Sequence, residues 1–136
     1  MPVRYLFCDE VDAYPPDADS EGDPLTLAIQ RTATFARRKI FIVSTPTIKG
    51  LSRIEKEFEN TDQRYYFVPC PFCGEFQKLS WEHLKYDKET FRTNYECEHC
   101  KSLIDERHKT DMLSRGEWRA TNAEVTSDKI IGFHLS

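Results

Sequence analysis

Short apolar runs separated by polar, turn-forming stretches dominate the chain, and a helical period is confined to a few segments. Val3 to Cys8 is mostly apolar and stops at Asp9-Glu10, the pattern of a buried strand. A polar, proline-rich loop follows from Tyr14 to Gly22. Asp23-Pro24 then offers an N-cap with proline at the first helical position. Leu25, Ala28, Ile29, Ala33 and Ala36 recur at helical spacing, which predicts a helix to about Arg37, with Arg37, Arg38 and Lys39 at its C-terminus where the helix dipole favours cations. Lys39 to Val43 is a second continuous apolar strand, running straight into Ser44-Thr45-Pro46-Thr47. Strand, crossover helix and strand form a βαβ unit, so the two strands are expected to be parallel and the crossover right-handed. A second helix is expected from about Ser52 to Asn60.

From Tyr65 the pattern changes. Tyr65 to Pro69 reads as a strand entering Cys70, and Phe76 to Leu79 as a strand leaving Cys73. Tyr95-Glu96 leads into Cys97, and Lys101 to Ile104 leads away from Cys100. Asp105 to Leu113 reads as a helix stopped by Arg115-Gly116, and an apolar tail spans Ile130 to His134. The expected fold class is therefore α/β: a partial parallel sheet with a βαβ unit, then a small zinc-ribbon-like β subdomain and a short helix. Parallel strands that are apolar on both faces need neighbouring strands and covering helices. The rest of the chain offers no further βαβ unit, so residues 1–62 are expected to be the end of a larger α/β sheet.

Composition narrows the class. The 136 residues are 39% hydrophobic and 31% charged, an ordinary globular balance. No aliphatic or aromatic run is longer than the four residues of Ile40 to Val43, too short to cross a bilayer, and Asp9, Glu10 and Asp12 interrupt any apolar signal core, which argues against membrane insertion and secretion. The net charge of -4 is uneven. Residues 1–24 hold one basic residue against seven acidic ones, whereas Arg31 to Arg64 holds eight basic against four acidic. A mild basic stretch of this kind reads first as a solvated face.

The cysteines carry the most specific signal. Apart from Cys8, they fall into two CxxC pairs, Cys70-Pro71-Phe72-Cys73 and Cys97-Glu98-His99-Cys100, with 23 residues between the pairs. That spacing is close to a zinc ribbon. Four thiolates around one tetrahedral zinc leave no open position, so the metal is expected to be structural. Pro71 stiffens the first turn and Gly74 permits its tight backbone. His99 is expected to face solvent or to lie outside the ligand set, and Cys8 to be a small core residue.

A second constellation is Tyr5-Leu6-Phe7-Cys8-Asp9-Glu10, an apolar strand delivering two carboxylates at its C-terminal end. This matches the Walker B arrangement, in which Asp9 would hold a nucleotide's magnesium and Glu10 would orient or deprotonate the attacking water. Ser44-Thr45-Pro46-Thr47 falls at the same end of the neighbouring parallel strand, where open α/β sheets bind ligands.

The string Phe7 to Pro15, then Gly22-Asp23-Pro24, Arg31 to Phe35 and Ser44 to Thr47, resembles the large terminase subunit of tailed bacteriophages, of the GpA type. The Cys70-Pro71-x-Cys73-Gly74 knuckle and the Gly132-Phe133-His134 tail fit as well. The resemblance implies an ATP-driven motor that packages double-stranded viral DNA and also cuts it, with ATP and Mg2+ as cofactors of the full-length parent beside a structural Zn2+. It implies Asp9 and Glu10 as Walker B residues and Ser44, Thr45 and Pro46 as part of the motif coupling nucleotide state to DNA movement. It implies as partners the small terminase subunit, the portal and procapsid, and further copies of the subunit, all in the cytoplasm of a bacterial host. Residues 1–62 would then be the C-terminal part of the ATPase domain, 63–120 the zinc ribbon and 121–136 a connector toward a nuclease domain. No G-x-x-x-x-G-K-[ST] phosphate loop occurs in the chain. By itself the chain is therefore expected to be an inactive middle piece. Without the resemblance, the same residues also fit a stand-alone zinc-ribbon module binding nucleic acid or protein, or a helicase-like fragment.

Overall fold

The computed structural model describes residues 1–125 and 129–135, and the chain divides into two units, 1–60 and 61–136. In the first unit, β1 (Tyr5–Asp9) and β2 (Lys39–Val43) pair in parallel, with Tyr5 beside Lys39 and Asp9 beside Val43. The helix α1 (Pro24–Gln30) connects them, so the expected strand, helix and strand are present. Asp23 caps α1, its carboxylate accepting from the Thr26 amide at 3.0 Å. The helix is about two turns shorter than its apolar spacing predicts. After Gln30 the backbone bonds shift to three-residue closure, with Thr32 N donating to Ile29 O at 3.0 Å and Ala33 N to Gln30 O at 3.1 Å. The fully buried Thr32 explains the shift. Its hydroxyl donates to the same Ile29 carbonyl at 2.7 Å and accepts from Arg38 Nη1 at 3.2 Å, competing with the helical bond. Arg37 to Lys39 therefore do not form the helix end.

One face of the strand pair is covered and the other is bare. Cys8, Val11 and Leu25 form a buried cluster against which Leu6, Ile29, Ile42 and Ile54 pack. On the opposite face Tyr5, Phe7, Phe41 and Val43 are exposed, Phe7 to 77%. This is the two-sided apolar character that the sequence implied, with one side lacking cover among the described residues.

The polar framework of this unit centres on Asp12, in the single 3-10 turn Val11–Ala13 after β1. Its carboxylate accepts from Thr47 N at 2.9 Å, Thr47 Oγ1 at 3.1 Å and Ile54 N at 2.9 Å. Its own amide donates to Ser44 Oγ at 3.2 Å. Helix α2 (Arg53–Glu59) starts there, capped by Ser52, whose hydroxyl accepts from Glu55 N at 3.2 Å, while the Glu55 carboxylate accepts from Gly50 N at 3.0 Å. This is a variant of the capping box that reaches two residues further back than usual, to Gly50 instead of Ser52. Arg53 donates to the carbonyls of Val11, Tyr14 and Pro15 and pairs with Asp23 at 2.9 Å, stitching the proline-rich loop to both helices.

The second unit contains β3 (Arg64–Pro69), β4 (Phe76–Lys78), β5 (Leu84–Tyr86), β6 (Thr93–Glu96), β7 (Leu103–Asp105), the helix α3 (Lys109–Ser114), β8 (Glu117–Ala120) and β9 (Phe133–His134). β4 and β8 flank β3 antiparallel, β9 joins β3 in parallel, and β5-β6-β7 form a separate antiparallel sheet. Strands β5 and β8 are absent from the apolar pattern because every one of their residues is exposed; they exist through pairing with β6 and β3. The helix expected from Asp105 opens instead as a 3-10 turn, Glu106–His108, capped by Asp105. The apolar tail folds back within this unit. The buried Asp62 anchors it, accepting from Gly132 N at 3.2 Å and from Arg64 Nε at 2.7 Å, while its carbonyl accepts from the amides of Thr121 and Asn122. Val68, Cys70, Cys97, Ile104 and Met112 form the core.

Two outcomes follow from this packing. Burial works against the Asp12 charge, but the hydrogen bonds from Ile54, Ser52 and Thr47 outweigh it and hold the carboxyl at about 2, below its usual 3.8. A group depressed in the folded state stabilises above its unfolded value and loses that contribution as pH falls. Acid unfolding followed by circular dichroism is thus expected to show a loss between about pH 4 and about pH 2 that Asp12→Ala lacks, the variant being destabilised at neutral pH by about 1–3 kcal/mol. In the second unit, a Cβ on Gly116 would lie 2.5 Å from the Tyr66 ring, whose hydroxyl donates to the Leu113 carbonyl. Gly116→Ala is expected to cost about 1–3 kcal/mol in denaturant titration, and less in a Tyr66→Leu background where the ring is gone.

Candidate functional site

Two adjacent turns of the same construction bring the four paired cysteines together. In the first, Gly74 N donates to Cys70 O at 2.9 Å and Cys70 N to Glu75 O at 2.9 Å; in the second, Lys101 N donates to Cys97 O at 3.1 Å and Cys97 N to Ser102 O at 2.9 Å. The residue after each second cysteine is left-handed, Gly74 at φ 76° and Lys101 at φ 62°. Glycine meets that demand freely in the first turn, whereas Lys101 adopts it against preference and ties its ammonium to Glu98 O at 2.8 Å. The equivalence of the turns is thus a backbone fact that the sequence shows at one turn only.

All four Sγ atoms lie within 4.8 Å of one another, with Cys70 to Cys100 at 3.9 Å and Cys73 to Cys97 at 3.8 Å. Cys97 is fully buried and accepts from the amides of His99 and Cys100 and from Gln77 Nε2 at 3.4 Å. Gln77, buried between the turns, also accepts from Glu98 N at 2.9 Å. Sequence reading gave it no role, since a single glutamine in a short strand carries no pattern. The thiols divide the available charge unequally. Hydrogen bonds from the Ser102 side chain and amide lower Cys100 to about 6. The Glu75 amide favours the Cys73 thiolate, yet burial and the bonds shared with Cys70, Cys100 and Cys97 raise it to about 12. Four sulfurs in one cluster cannot all ionise without a cation, so this donor set fits a metal ion. His99 is exposed and lies outside the set, its Nε2 3.3 Å from Phe76 O. Cys8 is buried in the first unit's core, and burial raises its thiol.

The other candidate lies in the first unit. Asp9 ends β1 beside Val43, so Glu10 and Ser44 both fall just past the C-terminal ends of parallel strands. Asp9 and Glu10 are exposed, and Asp9 Oδ1 accepts from the Glu10 amide at 2.9 Å. Glu10 is left-handed at φ 49°, a conformation that a side chain-bearing residue rarely takes. Ser44 Oγ bonds Asp12 N, while Thr45 and Pro46 follow it in the exposed loop. The bonds joining the two strand ends come from Asp12, not from Asp9 or Glu10. Its place three residues past Asp9 was visible in the sequence, but its partners at 44, 47 and 54 were not.

Comparison with known proteins fits both sites into one family. The model for the phage terminase large subunit gpA, ATPase domain, matches residues 1–118, a stretch containing the acidic strand end and all four paired cysteines. A terminase large subunit of Enterobacteria phage P21 is 33% identical over 141 residues, covering 96% of this chain and 22% of that protein. A terminase large subunit of Escherichia phage lambda is 35% identical over 83 residues, covering 60% of this chain and 12% of that protein. The chain thus spans about a fifth or less of the length of these curated relatives. No solved structure matches. No helix among the described residues is long and apolar enough to cross a membrane. With a family model covering most of its length, this chain belongs to the phage terminase large subunit gpA ATPase-domain family.

Proposed function

We propose that this chain is the part of a phage DNA-packaging motor that carries the Walker B and coupling segments together with a structural zinc site. The observation that carries the reading is the placing of Asp9-Glu10 and Ser44-Thr45-Pro46 at the same end of two paired parallel strands in a member of the terminase family. Magnesium-bound ATP brings the phosphoryl group to be transferred and charge neutralisation for its oxygens. Asp9 offers a carboxylate oxygen suited to a hard cation, oriented by the Glu10 amide. Glu10 directs the attacking water and takes its proton. Its left-handed backbone, costing on the order of 1–3 kcal/mol, supports a functional demand at this position. Ser44, Thr45 and Pro46 form the segment that responds to nucleotide state.

In the second unit Cys70, Cys73, Cys97 and Cys100 are the ligands of one zinc. A tetrahedron with Zn–S bonds of about 2.3 Å has sulfur edges of about 3.8 Å, and the Cys73–Cys97 and Cys70–Cys100 separations of 3.8 and 3.9 Å support that metal. The four thiolates fill its coordination sphere, so the zinc holds the two turns and does no chemistry. Its metal-bound turns contribute cysteines directly to the core that also contains Val68, Ile104 and Met112. In the full-length protein the same reading gives double-stranded DNA as substrate, cutting of that DNA beside its translocation, and the small terminase subunit, portal, procapsid and further copies of the motor as partners, in the cytoplasm of the bacterial host.

Metal analysis of purified protein is expected to give about one zinc per chain, and Cys97→Ser to lose it together with the structure of residues 61–135, because such sites contribute on the order of 10 kcal/mol of apparent binding free energy. Intact β-structure in excess chelator would remove zinc from the account. In the full-length subunit, Glu10→Gln is expected to reduce steady-state phosphate release by about 100-fold or more while ATP binding is retained. Hydrolysis near the wild-type rate would show that Glu10 is not the water-directing base.

A further inference from the structure

The Asp12 side chain ties the segment after β1 both to the segment after β2 and to the start of α2. Its Oδ2 accepts from both the amide and the hydroxyl of Thr47, and its Oδ1 from the Ile54 amide. The Asp12 amide donates to Ser44, so backbone and side chain grip the same loop at both ends of Ser44–Thr47. On the other side, Ala13 N donates to Glu10 O at 2.9 Å, closing a turn that contains Asp12. Val11, with no exposed surface, pins that turn into the core. Glu10 therefore cannot change its backbone without displacing Asp12, and Asp12 cannot move without releasing Ser44, Thr47 or Ile54.

We propose that Asp12 is a positioning residue that transmits a change at Glu10 to the Ser44–Thr47 segment and to α2. This rests on the reading of Asp9-Glu10 and Ser44-Thr45-Pro46 given above and specifies how those two groups communicate. Asp12 touches no reacting atom in this account. Its carboxylate presents two acceptor oxygens to two different elements, and no neutral side chain of the same size does that. Asparagine offers one acceptor and one donor, so Asp12→Asn keeps the shape and breaks one of the two attachments. The low proton affinity of Asp12 supports the same picture, since the charged form is what the three donors hold.

The test uses the full-length terminase large subunit in a DNA-packaging assay, scoring the length of DNA moved per phosphate released together with kcat and KM for ATP. Asp12→Asn is expected to leave KM within about threefold while the DNA moved per phosphate falls about tenfold, the effect that loss of one charged hydrogen bond implies. A purely structural role would lower hydrolysis and packaging together and leave their ratio unmoved, because misfolded protein drops out of both. An unchanged ratio in Asp12→Asn overturns the proposal. Should that variant be insoluble, Thr47→Val removes one donor from the same carboxylate, and its ratio is expected to fall by a smaller factor; an unchanged ratio there overturns the proposal as well. Near-normal hydrolysis in Glu10→Gln would instead fault the assignment of the acidic pair.

Discussion

Eight apolar side chains are buried among the described residues, too few for a core that organises its loops by packing alone. Each unit therefore depends on an aspartate that gathers backbone amides from distant parts of the chain. Asp12 takes amides from Thr47 and Ile54 in the first unit. Asp62 takes the amide of Gly132 in the second and shares its residue with the turn at Thr121 and Asn122. A charge-assisted bond to an amide is stronger than a neutral one and fixes direction as well as distance. That directional hold replaces what a larger hydrophobic core would provide.

The same economy shapes the sulfur cluster. Cys70 and Cys97 are core residues and members of a cysteine cluster that could hold a metal ion, so the second unit's interior is built around that donor set. Gln77 completes it by spending both ends of its amide on the second turn, one on Cys97 Sγ and one on the Glu98 amide. The four thiols hold charge unequally: Cys73 is pushed up to about 12, while hydrogen bonds from Ser102 lower Cys100 to about 6. The second unit's interior is thus built around its cysteine cluster, whereas the first unit's loops are tied through hydrogen bonds to Asp12.

The first unit also shows what family membership means physically. Its covered face has helices and a buried cluster; its other face offers Tyr5, Phe7, Phe41 and Val43 to the surroundings. A parallel sheet is ordinarily covered on both faces. The relatives are several times longer than the matched stretch, so this chain corresponds to only a portion of each. The candidate groups Asp9, Glu10 and Ser44 to Pro46 nonetheless lie inside that portion, at the ends of two strands that pair with each other.

Much of this was legible in the residues. Continuous apolar runs bounded by polar turns identified β1, β2 and β3, Asp23-Pro24 identified the start of α1, and the two CxxC pairs identified the four cysteines that cluster, because each signal is local in sequence. What the residues concealed was non-local. The early end of α1 depends on the buried hydroxyl of Thr32, and β5 and β8 depend on partners rather than on their own exposed residues. The left-handed Lys101 repeats a geometry that only Gly74 advertised. Asp12 is the clearest case. The sequence by itself determined that acidic and hydroxyl groups would meet at one end of two parallel strands, since register follows from the apolar pattern. Only the tertiary structure decided which side chain joins them, because a hydrogen bond across more than thirty residues is chosen by where the backbone arrives in space.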